Sequence, residues 1–228
     1  MTKVLDVYIT NLRKYNEGEL IGEWVKLPVS IDEYQNVLER IGIKPGYEEV
    51  FITDYDIDLY GVSNELGEFE SLGKLNYFAG VLENLSASDM EKYKAVLESG
   101  LSVGQPGIDG LINLAYNLEK YDLLTEVKDE YDLGRYYAEL SFGEELKERM
   151  GELADYIDFE GYESDSQINE GGMFTDAGYM RDTGEKWNKY FDGSLENIPE
   201  KYRLPVRKDD LSSDRAVKNK SDEWEMVR

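Results

Sequence analysis

Residues 7–24 read VYITNLRKYNEGELIGEW, and this stretch decides how the chain begins to fold. Val7 and Ile9 alternate with Tyr8 and Thr10, which predicts a strand. A Tyr15-Asn-Glu-Gly-Glu19 turn follows, and Ile21 to Leu27 reads as a second strand ended by Pro28. Ser30-Ile-Asp-Glu33 then forms a capping box, opening a helix whose apolar residues are Ile31, Tyr34, Val37, Leu38 and Ile41, with Gly42 as its stop. Val50 to Leu59 reads as a third strand. Asp54, Asp56 and Asp58 share one of its faces, and Phe51, Tyr55, Ile57 and Leu59 share the other. Residues 1–62 are therefore expected to be a small α+β domain.

Further along, Ser71 to Leu118 reads as helix throughout. Leu72, Leu75, Tyr77, Phe78, Val81 and Leu82 mark one segment. Ser88-Asp-Met-Glu91 looks like a second capping box, opening a helix that stops at Gly100. After the Gly104-Gln-Pro-Gly107 turn, Ile108, Leu111, Ile112, Ala115 and Leu118 mark a third. Residues 63–120 are expected to be a helical domain. Residues 121–192 read as mixed again, with a strand at Leu124 to Val127, helices at Leu133 to Leu140, Leu146 to Ile157 and Phe159 to Glu163, and short strands at Ser166 to Asn169, Met173 to Thr175 and Tyr179 to Arg181. The fold class expected is α+β, an elongated chain of three small domains plus a flexible extension at 193–228.

Composition narrows the chemistry. The 228 residues carry 25 Lys and Arg against 49 Asp and Glu, a net charge of -24, with 41% hydrophobic residues. There is enough apolar material for cores, so this is not an acidic disordered chain. Histidine and cysteine are both absent, which excludes imidazole bases, thiol nucleophiles, disulfides and His/Cys metal sites. No basic segment followed by an apolar one opens the chain, and no run approaches the roughly 18 apolar residues of a membrane span, so a cytoplasmic protein is expected. The negative charge repels nucleic acid and anionic lipid, so neither is expected as a partner.

The excess acid is concentrated. Residues 201–228 hold 8 basic and 6 acidic residues, so residues 1–200 hold 17 and 43. Between Lys44 and Lys74 there are 29 residues with no base and eight acids. The 31 residues between Arg149 and Arg181 repeat that arrangement, again with eight acids and no base. A solvated acidic face is the plain reading. The functional one is a surface that imitates a polyanion: at one charge per roughly 1.7 Å of duplex axis, the excess matches about 45 Å of B-DNA.

Other motifs carry less. Asp54, Asp56, Asp58 and Glu65 match positions of a calcium loop, but Leu59 stands where the sharp turn needs glycine and the preceding residues read as strand. Paired carboxylates of a glycoside hydrolase are always available among 49 acids. Asn84-Leu-Ser86 is a glycosylation sequon by pattern alone. No phosphate-binding or dinucleotide fingerprint occurs, and no metal or cofactor is expected.

Several stretches together resemble the ArdA antirestriction proteins. Val7 to Trp24 is similar to the start of that family, and Tyr47-Glu-Glu-Val-Phe-Ile-Thr-Asp-Tyr-Asp56 to the end of its first domain. Leu133-Gly-Arg-Tyr-Tyr-Ala-Glu139, Tyr156-Ile-Asp-Phe-Glu-Gly-Tyr162 and Glu170-Gly-Gly-Met-Phe-Thr-Asp-Ala-Gly-Tyr179 resemble its third domain and closing strands. One departure is plain: Tyr162-Glu-Ser-Asp-Ser166 stands where the family has Tyr-Gly-Arg-Asp-Leu.

The resemblance implies a non-catalytic homodimer that mimics bent B-DNA. Such a dimer occupies the DNA groove of type I restriction-modification enzymes and protects incoming mobile DNA. The phosphate-mimicking carboxylates would be Glu17, Glu19, Glu48, Glu49, Asp54, Asp56, Asp58, Glu65, Glu68, Glu70, Glu152, Asp155, Asp158, Glu160, Glu163 and Asp165. The family motif and dimer region would involve Leu133, Arg135, Tyr136, Tyr137, Tyr156, Phe159 and Tyr162. An acidic adaptor for another basic protein, working through residues 193–228, is the alternative, with a carboxylate hydrolase third.

Overall fold

A computed structural model describes residues 5–101, 107–142, 158 and 171–205. The opening alternation becomes strand β1 (Leu5–Asn11), whose Leu5, Val7 and Ile9 are fully buried. It lies at the centre of an antiparallel sheet of order β2-β1-β3, with β2 at Gly22–Leu27 and β3 at Val50–Asp56. The expected turn between β1 and β2 is preceded by a short helix, α1 (Leu12–Asn16). Asn11 is buried and starts that helix: its side-chain oxygen accepts from the Lys14 N–H at 3.1 Å, and its amide donates to the Ile41 carbonyl at 3.1 Å.

Helix α2 (Ile31–Arg40) starts at Ser30, whose hydroxyl accepts from the Glu33 N–H at 3.2 Å. The reciprocal half of the capping box is missing, because the Glu33 carboxylate turns to Arg40 at 2.7 Å instead. Tyr34 and Val37 are buried, whereas Ile31 is exposed at the first turn. Gly42 follows with φ +79°, a left-handed stop.

Strand β3 departs from simple alternation. Ile9 faces Ile52, yet Tyr8 faces Asp54, so Thr53 is an extra residue in a β-bulge. Val50 and Ile52 point into the core on one side of the bulge. On the other side the same even-numbered series emerges at Asp54 and Asp56, both exposed, opposite Tyr8 and Asp6. Phe51 consequently lies opposite Thr10 on the outer face, while Tyr55, opposite Val7, turns inward and donates to the Gly67 carbonyl at 2.6 Å. The single apolar face expected for Phe51 and Tyr55 is thus divided between two faces. Asp58 lies beyond the strand in an exposed loop, before the short helix α3 (Val62–Glu65).

The helical stretch contains α4 (Leu72–Glu83), α5 (Ala87–Ser99) and α6 (Gly107–Ala115). Helix α4 is buried almost all round, from Leu72 to Leu82. Helix α5 is capped by Ser86, two residues earlier than expected: its hydroxyl accepts from the Asp89 N–H at 3.1 Å and donates to the Asp89 carboxylate at 2.7 Å. Gly100, with φ +69°, ends it as expected.

The described residues form two compact units, which cut across the expected boundaries at 62, 120 and 192. The first takes residues 5–85, 107–115 and 189–205, and the second takes residues 86–101, 116–142, 158 and 171–188. The helical stretch 63–120 is therefore shared: α4 and α6 belong to the first unit and α5 to the second.

In the first unit, residues 189–205 form a strap of extended chain and two single-turn 3-10 helices, Leu195–Asn197 and Glu200–Tyr202. Its Phe191, Ile198 and Leu204 are buried. Asn113 of α6 donates to the Phe191 carbonyl at 2.8 Å and accepts the Tyr190 and Phe191 N–H groups at 2.9 Å each. Asn76 of α4 donates to the Tyr202 carbonyl at 2.9 Å while accepting the Val29 N–H at 2.7 Å. Gly80 lets the Tyr202 ring lie on α4, since a Cβ there would come within 2.2 Å of it. The start of the expected flexible extension is therefore part of a core. Its apolar anchors are unevenly spaced, so no helical or strand period reveals them. Residues 206–228 lie outside the described residues.

The second unit holds an antiparallel sheet of order β4-β6-β5, with β4 at Tyr121–Leu124, β5 at Met173–Thr175 and β6 at Gly178–Asp182. The strand expected at Leu124 to Val127 thus begins earlier, because Tyr121 is the residue fully buried. Helix α7 (Glu130–Phe142) packs through Leu133, which joins Val127 and Tyr179 in a small core. The helices expected at 146–157 and 159–163 and the strand at 166–169 lie outside the described residues.

Candidate functional site

The carboxylates of the first unit fall into two environments. At the opening turn they are matched by bases. Glu17 meets Arg13 at 3.3 Å and Lys14 at 3.4 Å, and it accepts the Tyr47 hydroxyl at 3.0 Å. Glu19 accepts from Lys14 at 2.9 Å. Desolvation pushes the Glu17 carboxyl upward, but the hydrogen bonds from Tyr47, Arg13 and Lys14 together hold it below the usual carboxylate value. The same contacts keep the Lys14 ammonium above its ordinary range, chiefly through Glu19. Here Tyr47 acts as a platform for cations, with Arg13 4.7 Å, Lys44 5.3 Å and Lys14 5.4 Å from its ring centroid.

The base-free stretch behaves differently. Glu48, Glu49, Asp54, Asp56, Asp58, Glu65 and Glu68 are all exposed, and Glu70 is half-buried. Among the described residues, Glu49, Asp54, Glu65 and Glu68 have no ion-pair partner. Burial pushes the Tyr55 phenol upward, and the negative charge of Glu70 adds to the shift. These four present negative charge that no base neutralises, and the backbone around them is tied down where β3 is held in the sheet and the Ile52 N–H donates to the Glu68 carbonyl at 2.7 Å.

The second base-free stretch lies mostly outside the described residues, including Glu152, Asp155, Glu160, Glu163 and Asp165, with the motif residues Tyr156, Phe159 and Tyr162. Asp158 and Asp176 are exposed. Of the other motif residues, Leu133 is fully buried within its own unit, so it supports α7 from inside. Arg135 is exposed and lies 3.9 Å from both Asp132 and Glu139. Tyr136 and Tyr137 are half-buried and meet edge to face at 5.4 Å. The Tyr137 hydroxyl accepts from Arg181, which also pairs with Asp122 at 3.0 Å.

No group of three or more acids stands close enough to hold a metal ion among the described residues. The calcium-loop pattern fails locally because Asp54 and Asp56 are on a strand and Glu65 is on a helix. Asn84 of the sequon is engaged in the fold, donating to the Tyr202 hydroxyl at 2.7 Å. No described helix is long and apolar enough to cross a membrane.

The family model described as antirestriction protein (ArdA) matches residues 7–181, running from the opening strand to the last strand of the second unit. The chain belongs to the ArdA family. ArdA proteins are antirestriction inhibitors, and membership implies interaction with restriction enzymes. A search of curated proteins finds no match to this chain. The strap at 189–205 lies beyond the matched residues, so this ArdA protein completes its first unit with sequence outside the family model.

Proposed function

We propose that this ArdA protein inhibits type I restriction-modification enzymes as a DNA mimic, with Asp and Glu side chains standing where phosphates would. The observation that carries this reading is the base-free stretch from Glu48 to Glu70, whose exposed carboxylates stand on and around the edge strand β3. Fixed carboxylates meet the Lys and Arg of a DNA groove without a reorganisation cost. The energy is spread over many screened contacts, so no single carboxylate dominates. The working form is a homodimer joined through the region of Arg135, Tyr136 and Tyr137, and sedimentation that finds only monomer in the inhibitory range refutes that part.

The test is displacement of duplex DNA from a type I methyltransferase core across a salt series. Displacement at stoichiometric protein and low salt, fading as salt rises, is expected. Unchanged DNA binding under those conditions overturns the proposal. A chain cut after Pro205, beyond the packed strap, keeps its inhibition if the acidic surface is responsible and loses it if the tail recruits the partner.

A further inference from the structure

The outer face of the first sheet carries aromatic rings among its acids. Trp24, Tyr8 and Asp54 stand in one row across β2, β1 and β3. Tyr8 and Trp24 meet edge to face at 5.4 Å, and Trp24 is 46% exposed. Gly22 makes room for this pair, since a Cβ there would come within 2.5 Å of the Tyr8 ring. In the next row Phe51 lies opposite Thr10, covered by Tyr15 at 5.1 Å and by Phe69 at 6.1 Å. Phe69 remains 54% exposed and lies between Glu68 and Glu70 in the chain. Each ring packs on a neighbour through one side and still leaves apolar surface in water among the acids.

The same unit shows what such a pairing of ring and carboxylate binds. The Arg13 guanidinium lies over the Tyr47 ring at 4.7 Å, nearer than the Lys44 and Lys14 ammonium groups that also approach it, while it donates to Glu17 at 3.3 Å. A guanidinium is planar and weakly hydrated, so it can stack on a ring and still pair in its own plane, which an ammonium does less well.

We infer that Trp24, in one row with Asp54, and Phe69, next in the chain to Glu68, are docking platforms for arginine side chains of the basic partner. This deepens the DNA-mimic reading and rests on it: the carboxylates supply attraction to any cation, and the rings supply a preference for Arg over Lys.

The test uses the full chain, the variant W24A/F69A, the variant W24L/F69L that keeps apolar bulk without a ring, and the variant E65Q/E68Q. Each is assayed for displacement of DNA from the methyltransferase core and titrated with octa-arginine and octa-lysine peptides. Both ring variants are expected to weaken displacement by roughly five- to thirtyfold with little change in salt dependence. They should also erase a preference for octa-arginine that E65Q/E68Q retains, while E65Q/E68Q flattens the salt dependence. Ring variants that behave like the parent in both assays, or equal binding of the two peptides by the parent chain, overturn the inference while leaving the mimic reading standing. A parent chain that prefers octa-arginine but displaces no DNA overturns the mimic reading alone. Circular dichroism on each variant checks that the fold is retained.

Discussion

Two acidic stretches of one folded unit differ in what surrounds them. At the opening turn, Glu17 and Glu19 are held by Arg13, Lys14 and Tyr47, and the charges largely cancel in place. From Glu48 to Glu70, exposed carboxylates stand on and beside β3 with no base in the intervening sequence. The number of acids per residue is therefore a poor guide to field. A carboxylate already bonded to its own Lys or Arg offers little to a partner, and exposed pairs of that kind also add little to stability. The carboxylates of the turn are engaged locally, whereas Glu49, Asp54, Glu65 and Glu68 pair with no base among the described residues.

The largest expected effect comes from removing what both stretches depend on. Cutting the chain after Asn188 takes away Phe191, Ile198 and Leu204, whose burial against α4 and α6 contributes on the order of 5 kcal/mol in total. Urea unfolding of that truncation should show the first unit lost or strongly destabilised, and a midpoint close to the parent's would refute the role given to the strap. The next effect separates the two stretches. Asp54→Lys, Glu65→Lys and Glu68→Lys combined should weaken displacement of DNA from the methyltransferase core on the order of 100-fold at low salt. Glu17→Gln with Glu19→Gln should change it by no more than about fivefold. Equal losses from both sets would erase the distinction.

A smaller change would turn one stretch into the other. Arg13→Ala with Lys14→Ala leaves Glu17 and Glu19 without their bases, so affinity for the basic partner should rise about two- to fivefold at low salt. No gain, with the fold intact, would show that the turn lies outside the contact. The smallest effect is a titration. Tyr47→Phe removes a hydrogen bond that holds the Glu17 carboxyl below its ordinary value, so its NMR titration midpoint should move up. The sign for stability follows from linkage. A carboxyl lowered in the folded state contributes above its unfolded pKa, and that contribution disappears as pH falls through the folded value. The variant should therefore lose a small part of its stability at neutral pH and depend less on acid than the parent.

Much of the fold was legible because local rules govern it. The alternation at Val7 and Ile9 required a strand, Ser30 capped the helix it preceded, and Gly42 and Gly100 ended helices at their positive φ. The capping residue of α5 was misplaced because Ser86 and Ser88 both fit the pattern, and only the helix's first turn distinguishes them. The strap has no local signal for another reason. Its anchoring depends on Asn76 and Asn113, buried polar residues that bond to backbone far along the chain, and no sequence period marks such pairs.

The sequence by itself determined the elements of the opening sheet, the concentration of acid between Lys44 and Lys74, and the family to which the chain belongs. Those are properties of neighbours in the chain, and neighbours can be read in order. Only the tertiary structure decided which carboxylates are neutralised, because Tyr47 reaches Glu17 across a gap of 30 positions. It also decided which way β3 presents its acids. Without the bulge at Thr53, Asp54 and Asp56 would follow Val50 and Ile52 into the core, since a strand alternates faces strictly until one extra residue shifts the register.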